Sequence, residues 1–471
     1  MAKDFFNRHL TWYIINYRFC ATYQKEKKIV MNFATDNQTL EDLNIFNGRG
    51  SVSIYSIFNK TCTRGGAALL EEMFRYPLSK TEDISNRIKV LNFFTTVHLA
   101  FPLKQESLDV VEHYLSNFDE RSKLTAQEMS VAKKISNLLA TDNEYQAIYK
   151  GVVCLIELLQ QLNGFLKDIR LKVTGNPYAK DIELIDQILS SKDFVFLMKE
   201  NTKTKLSYAI VSEYDKQLRF VHRSVIKKIL QYVFYLDVYI AVAKVAMEKR
   251  FIFPTVLEKD QHAIHLQGLY HPQLTKPIAN DISIYADKNI VFLTGANMAG
   301  KSTFIKSVGV ATFLAHIGMG VPARSMRLSV FDGLLSNINV ADNIAKGESY
   351  FYNEVQRIKA TIQKINDGRK WLILIDELFK GTNVQDAMKC STAVIEGLLK
   401  IKNALFILST HLYEIGDELK KYPNIQFNYF ETSVQDGQLH FSYQLREGIS
   451  NDRLGYLILK REGVVKLLED L

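Results

Sequence analysis

Apolar positions recur at two different intervals along the 471-residue chain, and the interval changes near Pro254. Upstream, Leu206, Ile210, Tyr214, Leu218, Val221, Val225, Ile229, Val233, Leu236, Ile240 and Ala243 form one stripe. Its mean step is about 3.7 residues, the spacing that keeps one face of an α-helix apolar. The stripe predicts a single helix from near Lys203 to Arg250, roughly 65 Å long at about 1.5 Å per residue. From Leu103 to Phe253 only Pro177 and three glycines interrupt the chain, so long helices are expected throughout. Two long arms are expected to meet near the strong turn "VTGNPYAKD" (173–181). Downstream the texture shifts to short β-branched and aromatic runs: "NIVFLT", "GLLSNINV", "WLILID", "NALFILST", "IQFNYFET" and "QLHFSYQL". Such runs alternating with helical stretches predict an α/β domain with a largely parallel sheet.

Composition narrows this picture without redirecting it. The chain is 47% hydrophobic and 23% charged, with eight prolines, as expected of a globular protein with real cores. Cys20, Cys62, Cys154 and Cys390 lie far apart, which suggests neither a zinc site nor a disulfide framework and fits a reducing cytoplasm. "LTWYIINY" near the N-terminus is followed by Arg18, Lys25, Lys27 and Lys28 without a small-residue cleavage site, so no signal peptide is read there. "ILQYVFYLDVYIAVAKVAM" contains Asp237 and Lys244, which argues for a buried core helix and against a membrane span. Charge is unevenly placed. Residues 1–250 hold 35 Lys+Arg against 28 Asp+Glu, while the remainder holds 24 against 23. The excess permits contact with nucleic-acid phosphates and is equally consistent with a solvated helical surface. The expected organisation is a segment of uncertain role (1–45), a helical core or lever domain (46–255) and an α/β nucleotide domain (256–471).

Candidate chemistry concentrates in that last domain. Gly295-x-x-x-x-Gly300-Lys301-Ser302 runs from an apolar strand into a helix, as a phosphate-binding loop requires. Backbone N–H groups at the helix N-terminus would cradle phosphates, Lys301 would reach the terminal phosphates, and Ser302 would hold magnesium. The nucleotide-binding set is therefore Gly295, Ala296, Asn297, Met298, Ala299, Gly300, Lys301, Ser302 and Thr303. In "KWLILIDELFKGTN" (370–383), Asp376 at a strand end can hold magnesium through water. The adjacent Glu377 can orient and polarise the attacking water. His411, just beyond the strand "FILST", can hydrogen-bond the γ-phosphate or that water, although a lone histidine is more often structural. Gly347 and Ser349 open an amphipathic helix in "NIAKGESYFYNEVQRI" (343–358). That start is either an ordinary N-cap or a sensor of the γ-phosphate, and it resembles the signature helix of ABC-type ATPases. There the serine closes over nucleotide bound by a second subunit.

Taken together, "TGANMAGKST", "IDELFKGTN", "STHLYEI" and "GESYFYNEV" resemble the motifs of the MutS DNA mismatch repair ATPases. The likeness continues through "PIANDISI" (277–284), "AHIGMGVPA" (315–323) and "GISNDRLGYLILKREGV" (448–464). Upstream, "SIYSIFNKTCTRGGAALLEEMFRYPLSKTEDISNRIKVLNFF" (53–94) and "YLDVYIAVAKVAMEKRFIFPTV" resemble the two ends of the family's lever domain. The resemblance implies an ABC-type ATPase domain of α/β class behind an all-α lever domain, splitting ATP to ADP and phosphate with Mg2+. It implies Glu377, His411 and Lys301 in catalysis, a homodimer whose Gly347 and Ser349 act in trans, and levers that transmit the nucleotide state to DNA. On the arm, Lys203, Lys205, Arg219, Arg223, Lys227 and Lys228 are the expected phosphate contacts. Departures from the family pattern accompany it. About 45 residues stand where a mismatch-reading domain and a connector are expected, no Phe-x-Glu wedge occurs there, and the middle is short for a clamp. No tetramerising extension or nuclease module is read after Leu471. Weak mismatch preference, with duplex or branched DNA as ligand, is the resulting expectation. Pro277 stands where the family tends to carry an adenine-stacking aromatic, so the resemblance does not extend to base selectivity. Two alternatives stand beside this reading: a nucleotide-gated clamp on a protein or ribosome partner, and a regulatory ATPase served by a separate mismatch-repair partner protein.

Overall fold

The computed structural model describes residues 33–46, 52–124, 138–258, 261–339, 350–435, 438–450 and 463–469. The upstream half is helical: α1 (Asn37–Asp42), α2 (Ile54–Phe58), α3 (Arg64–Arg75), α4 (Thr81–Val97), α5 (Gln105–Ser116), α6 (Leu138–Arg170), α7 (Ala179–Leu189), α8 (Tyr208–Asp215) and α9 (Arg223–Lys249). The apolar stripe does not fold as one helix. It starts at Tyr208, behind a Ser207 cap, and is broken by a π-helical turn over Lys216–Val221 before α9 begins. A π turn inserts extra backbone into the ladder and shifts the helix face. Leu218 and Ile229 of the stripe are therefore buried, whereas Ile210 and Val221 face solvent. A period measured across the whole stripe averages over that shift and hides it.

The turn at 173–181 leads from the 33-residue α6 into the short α7, and it does draw the long helices together. There the buried hydroxyls of Tyr178 and of Tyr232 on α9 share a 2.6 Å hydrogen bond. α9 is long and apolar enough to cross a membrane, but 72% of its most apolar window is buried inside the protein. Its N-terminal part packs with α5, α6 and α7, through Ile226, Ile229, Val233 and Leu236. Its C-terminal part, through Val238, Val242, Val245 and Ala246, joins the core of the α/β half. Asp237 lies between the two. Its carboxylate accepts from the Cys62 and Thr63 amides at 2.9 and 2.8 Å, anchoring the start of α3.

Ten strands follow: β1 (Thr255–Val256), β2 (Ala263–Leu269), β3 (Asn280–Tyr285), β4 (Ile290–Thr294), β5 (Ser325–Leu328), β6 (Gly333–Asn337), β7 (Trp371–Ile375), β8 (Ala404–Ser409), β9 (Ile425–Gln435) and β10 (Gln438–Glu447). Among the described residues they form a six-stranded sheet in the order β10-β9-β4-β8-β7-β6 and a four-stranded sheet in the order β1-β5-β2-β3. In the larger sheet β6, β7, β8, β4 and β9 are parallel and β10 is antiparallel. The expectation of a largely parallel sheet is met there and corrected in the smaller one, where β1–β5 is parallel and the β5–β2 and β2–β3 pairings are antiparallel. Every residue of β4, β6, β7 and β8 is buried, as in sheets covered on both faces. β3 alternates toward solvent, and its short, mixed pattern was not among the runs that marked the sheet.

The helices of this half are α10 (Lys301–Ile317), α11 (Tyr350–Ile365), α12 (Val384–Leu398), α13 (Glu414–Leu419) and α14 (Val464–Glu469). α10 is buried along nearly its whole length. Its C-terminal end is clasped by the helical half. The Leu78 amide donates to the His316 carbonyl at 2.8 Å, His316 Nδ1 meets the Leu78 carbonyl at 2.8 Å, and Arg87 donates to the Ile317 carbonyl at 2.9 Å. Phe331 N–H reaches His316 Nε2 at 3.3 Å, so both ring nitrogens are used.

Candidate functional site

The predicted phosphate loop, the acidic pair and the histidine emerge from β4, β7 and β8, which are adjacent and parallel. Parallel strands present their carboxyl ends on one edge, where ligands of such sheets bind. The loop after β4 turns through left-handed conformations at Gly295 (φ 133°), Met298 (φ 66°) and Gly300 (φ 110°). A side chain at Gly300 would be strained by that backbone conformation, and its Cβ would lie in contact with the Tyr443 ring. Asn297 and Met298 lie exposed on the loop, Ala296 and Ala299 face inward, and Ser302 and Thr303 are exposed on the first turn of α10.

Lys301 is only 5% exposed. Its ammonium donates to the carbonyls of Gly295 and Ala296 at 2.7 and 2.9 Å. Among the described residues no carboxylate lies within ion-pair distance of it. Burial pushes the Lys301 ammonium below its usual range, opposed by the fields of Asp376 and Glu377.

Ser409, at the end of β8, bridges the acidic pair: its hydroxyl donates to Asp376 and accepts from the Glu377 amide. The Glu377 carboxylate is held at both oxygens, by His411 Nε2 at 2.7 Å and by Lys380 Nζ at 3.0 Å. The His411 hydrogen bond above all, then Lys380, pulls its pKa down to about 2 against the opposing effect of burial. Glu377 and Phe379 both sit at positive φ, 57° and 58°. Left-handed backbone at two non-glycine residues costs about 1–3 kcal/mol each and persists where the surroundings over-determine it.

Several neighbours were not singled out from sequence. Glu354 and Arg357 on α11 and Asn337 at the end of β6 line a cavity shared with Asp376 and Glu377. Arg357 donates to Asn337 Oδ1 at 2.9 Å. Tyr443, exposed and at φ 55°, lies in an irregular stretch of β10 beside Gly300. Asn280 on β3 pins that stretch, donating to the Tyr443 carbonyl at 3.0 Å and accepting from the Leu445 amide at 2.7 Å. A tyrosine in an apolar-polar run carries no local signal of this placement. Gly347 and Ser349 lie outside the described residues, as does most of 448–464.

The basic candidates on the arm separate into two groups. Lys203 and Lys205 are exposed in the loop before α8, Lys227 is exposed on α9, and Lys228 is half-buried. Arg223 folds back, donating to the Leu115 carbonyl at 3.1 and 3.2 Å with its guanidinium 4.1 Å over the Phe118 ring. Arg219 is a correction. It is fully buried, pairs with Asp215 through two 2.7 Å hydrogen bonds, and donates to the Asn117 and Ser122 carbonyls at 3.1 and 2.7 Å. The π turn points it inward, so it cannot meet a phosphate.

Two family models match the chain: MutS domain III over residues 38–243 and MutS domain V over residues 291–467. DNA mismatch repair protein MutS of Leuconostoc citreum is 33% identical over 253 residues, covering 52% of this chain and 29% of that protein. The MutS of a Thermotoga species is 24% identical over 509 residues, covering 91% of this chain and 63% of its own. That of Anaplasma phagocytophilum is 32% identical over 234 residues, covering 49% and 28%. The chain therefore spans less than two thirds of the length of these relatives.

Proposed function

The chain belongs to the MutS family, and from that premise we propose that it is a magnesium-dependent ATPase whose nucleotide state is passed through the helical half to DNA. The observation that carries this reading is Lys301, a buried ammonium that has carbonyl partners and, among the described residues, no carboxylate within ion-pair distance, set beside the carboxylates of the β7 edge. A cation so placed lacks an anion, and the N–H groups opening α10 favour a phosphate. Ser302 and Asp376 would hold Mg2+, which when bound would neutralise phosphate charge. A single carboxylate and a hydroxyl suit an ion that keeps phosphate and water as its other ligands.

Glu377 orients the attacking water toward the γ-phosphorus. With its pKa near 2 it stays ionised at neutral pH, and His411 fixes one of its oxygens. Its role is thus alignment and polarisation more than strong proton uptake. Tyr443, beside Gly300, offers an aromatic face for the base. That would compensate for Pro277. Gly347 and Ser349 of a second copy of the chain would complete each site, making the active form a nucleotide-dependent homodimer. On the arm, Lys203, Lys205, Lys227 and Lys228 remain as phosphate contacts, which position a duplex without reading its sequence.

Glu377→Gln tests the chemistry. It should keep ATP binding and slow hydrolysis by orders of magnitude, and turnover equal to wild type would sink the assignment. Under saturating ATP this variant should sediment as a dimer, and a monomer would remove the composite-site part. DNA binding should weaken with salt, at a log–log slope of about −0.9 per phosphate neutralised. Absence of binding at low salt to duplex, mismatched and branched DNA would turn the reading toward a protein-directed clamp.

A further inference from the structure

Glu354 is 6% exposed on α11, and neither the sequence motifs nor the ATPase reading gives it a task. Its two carboxylate oxygens accept from consecutive backbone amides, Lys380 N–H at 3.3 Å and Gly381 N–H at 3.2 Å. Those amides end the turn that starts at Asp376. The same turn carries Glu377 and Phe379 in left-handed backbone conformations and Lys380, whose ammonium holds Glu377 Oε2. At its other end the turn is tied to β8, through the Ser409 hydroxyl to the Glu377 amide and the Ser409 carbonyl to the Leu378 amide. A strained turn needs restraint on both sides, or it relaxes into ordinary backbone and swings the Glu377 side chain away. Ser409 supplies one restraint. Phe379 packs on Phe351 of α11 with the rings tilted by 58° and 5.8 Å between centroids, so α11 supplies the other.

We propose that Glu354 is a positioning residue for Glu377: by holding the Lys380 and Gly381 amides it fixes the turn that aims the Glu377 carboxylate. The proposal rests on the ATPase reading for its kinetic consequence and stands independently of it for its structural one. Burial raises the Glu354 carboxyl above its usual range, and the Gly381 and Lys380 amides oppose that shift only in part.

The test uses the full chain and the variants Glu354→Ala and Glu354→Gln, the second keeping the shape and one acceptor oxygen. In Glu354→Ala, kcat for ATP should fall about 100-fold, the loss expected from misplacing a reacting group by about 1 Å. The Kd for ATP should stay within about twofold, because the phosphate loop is untouched. Glu354→Gln should recover part of kcat. In the nucleotide-free protein, hydrogen exchange at the Lys380 and Gly381 amides should speed up in Glu354→Ala, while exchange in β7 and β8 stays as in wild type. Unchanged kcat in Glu354→Ala would overturn the proposal, and so would unchanged exchange at those two amides. A loss of ATP affinity matching the loss of kcat would also overturn it, leaving only a general structural role. A wild type that does not hydrolyse ATP would defeat the ATPase reading, and the exchange measurement would still decide whether Glu354 holds the turn.

Discussion

Lys301 and Arg219 are both cations taken out of water, and the protein treats them in opposite ways. Arg219 is surrounded by acceptors: a carboxylate gripping it twice, two carbonyls, and the Ser122 hydroxyl at 3.0 Å. Asp215 in turn accepts from the Tyr114 hydroxyl at 2.8 Å, so the whole group is closed. Lys301 has two neutral carbonyls. Desolvating a charge costs several kcal/mol unless a partner offsets it. A fully paired buried cation is therefore a device for shape, whereas one with only carbonyl partners beside an exposed loop is where, on the proposed reading, an anion would bind. Here the paired cation braces a π turn in the arm, and the other opens the helix that follows the loop after β4.

The sharpest way to break the contrast is Arg219→Ala. It strands Asp215 in the core and should cost about 3–5 kcal/mol of stability, the usual penalty for halving a buried pair. Urea unfolding would measure it, and a loss under about 1 kcal/mol would show the pair to be wetter than its geometry. ATP affinity should not change beyond what partial unfolding explains. Lys301→Met should do the reverse, weakening ATP binding about 100-fold, or about 2.7 kcal/mol. The stability of the nucleotide-free protein should be kept or raised, since an uncompensated charge is removed. Calorimetry of ATP binding together with unfolding curves separates the two effects.

Buried histidines show a third treatment, which is to carry no charge. Burial lowers the pKa of His262, His271 and His316 to about 4. Their folded-state values lie below the unfolded value near 6.5, so the unfolded chain binds more protons between those limits. Stability is then fully present above about pH 6.5 and lost as pH falls toward 4, at up to about 1.4 kcal/mol per pH unit for each histidine. Unfolding at pH 7.5 and 5.0 checks this, and a flat profile would mean that the rings are already solvated. The smallest effect is expected from Asp215→Leu combined with Arg219→Met. Removing both charges should fall within about 1 kcal/mol of wild type, far short of the single loss. A double variant as unstable as Arg219→Ala would show that Tyr114 and Ser122 depend on the ion pair itself.

That the loop after β4, the acidic pair and His411 come together was legible because each follows a buried strand directly, and the strands of a parallel sheet deliver their ends to one edge. Arg219 was misread for the complementary reason. Its helical spacing and charge look like a solvated face, and a π turn leaves no mark in apolar periodicity. Asp215 four residues earlier was the available clue, but such pairs are common on exposed helices and do not announce burial. The placements of Glu354 and Tyr443 were invisible because they come from distant backbone: two amides of a turn 26 and 27 residues away, and a bulge pinned by Asn280, 163 residues from Tyr443. The smaller sheet escaped because β1 has two residues and β5 four, too few to show alternation.

The clasp at the end of α10 has a consequence for how this protein can drift over generations. Among the described residues, both hydrogen-bond partners of the His316 ring are main-chain atoms: the Leu78 carbonyl on one side and the Phe331 amide on the other. Main-chain groups are inherited whatever side chain stands above them. Positions 78 and 331 are thus answerable only for volume and backbone shape, and can exchange one apolar residue for another of similar size. Position 316 carries the whole chemical requirement, since its side chain must offer a donor and an acceptor at the two ends of one rigid ring. The ring's share of the junction therefore falls on a single codon, while the Leu78 amide to the His316 carbonyl and Arg87 to the Ile317 carbonyl hold the two halves without it.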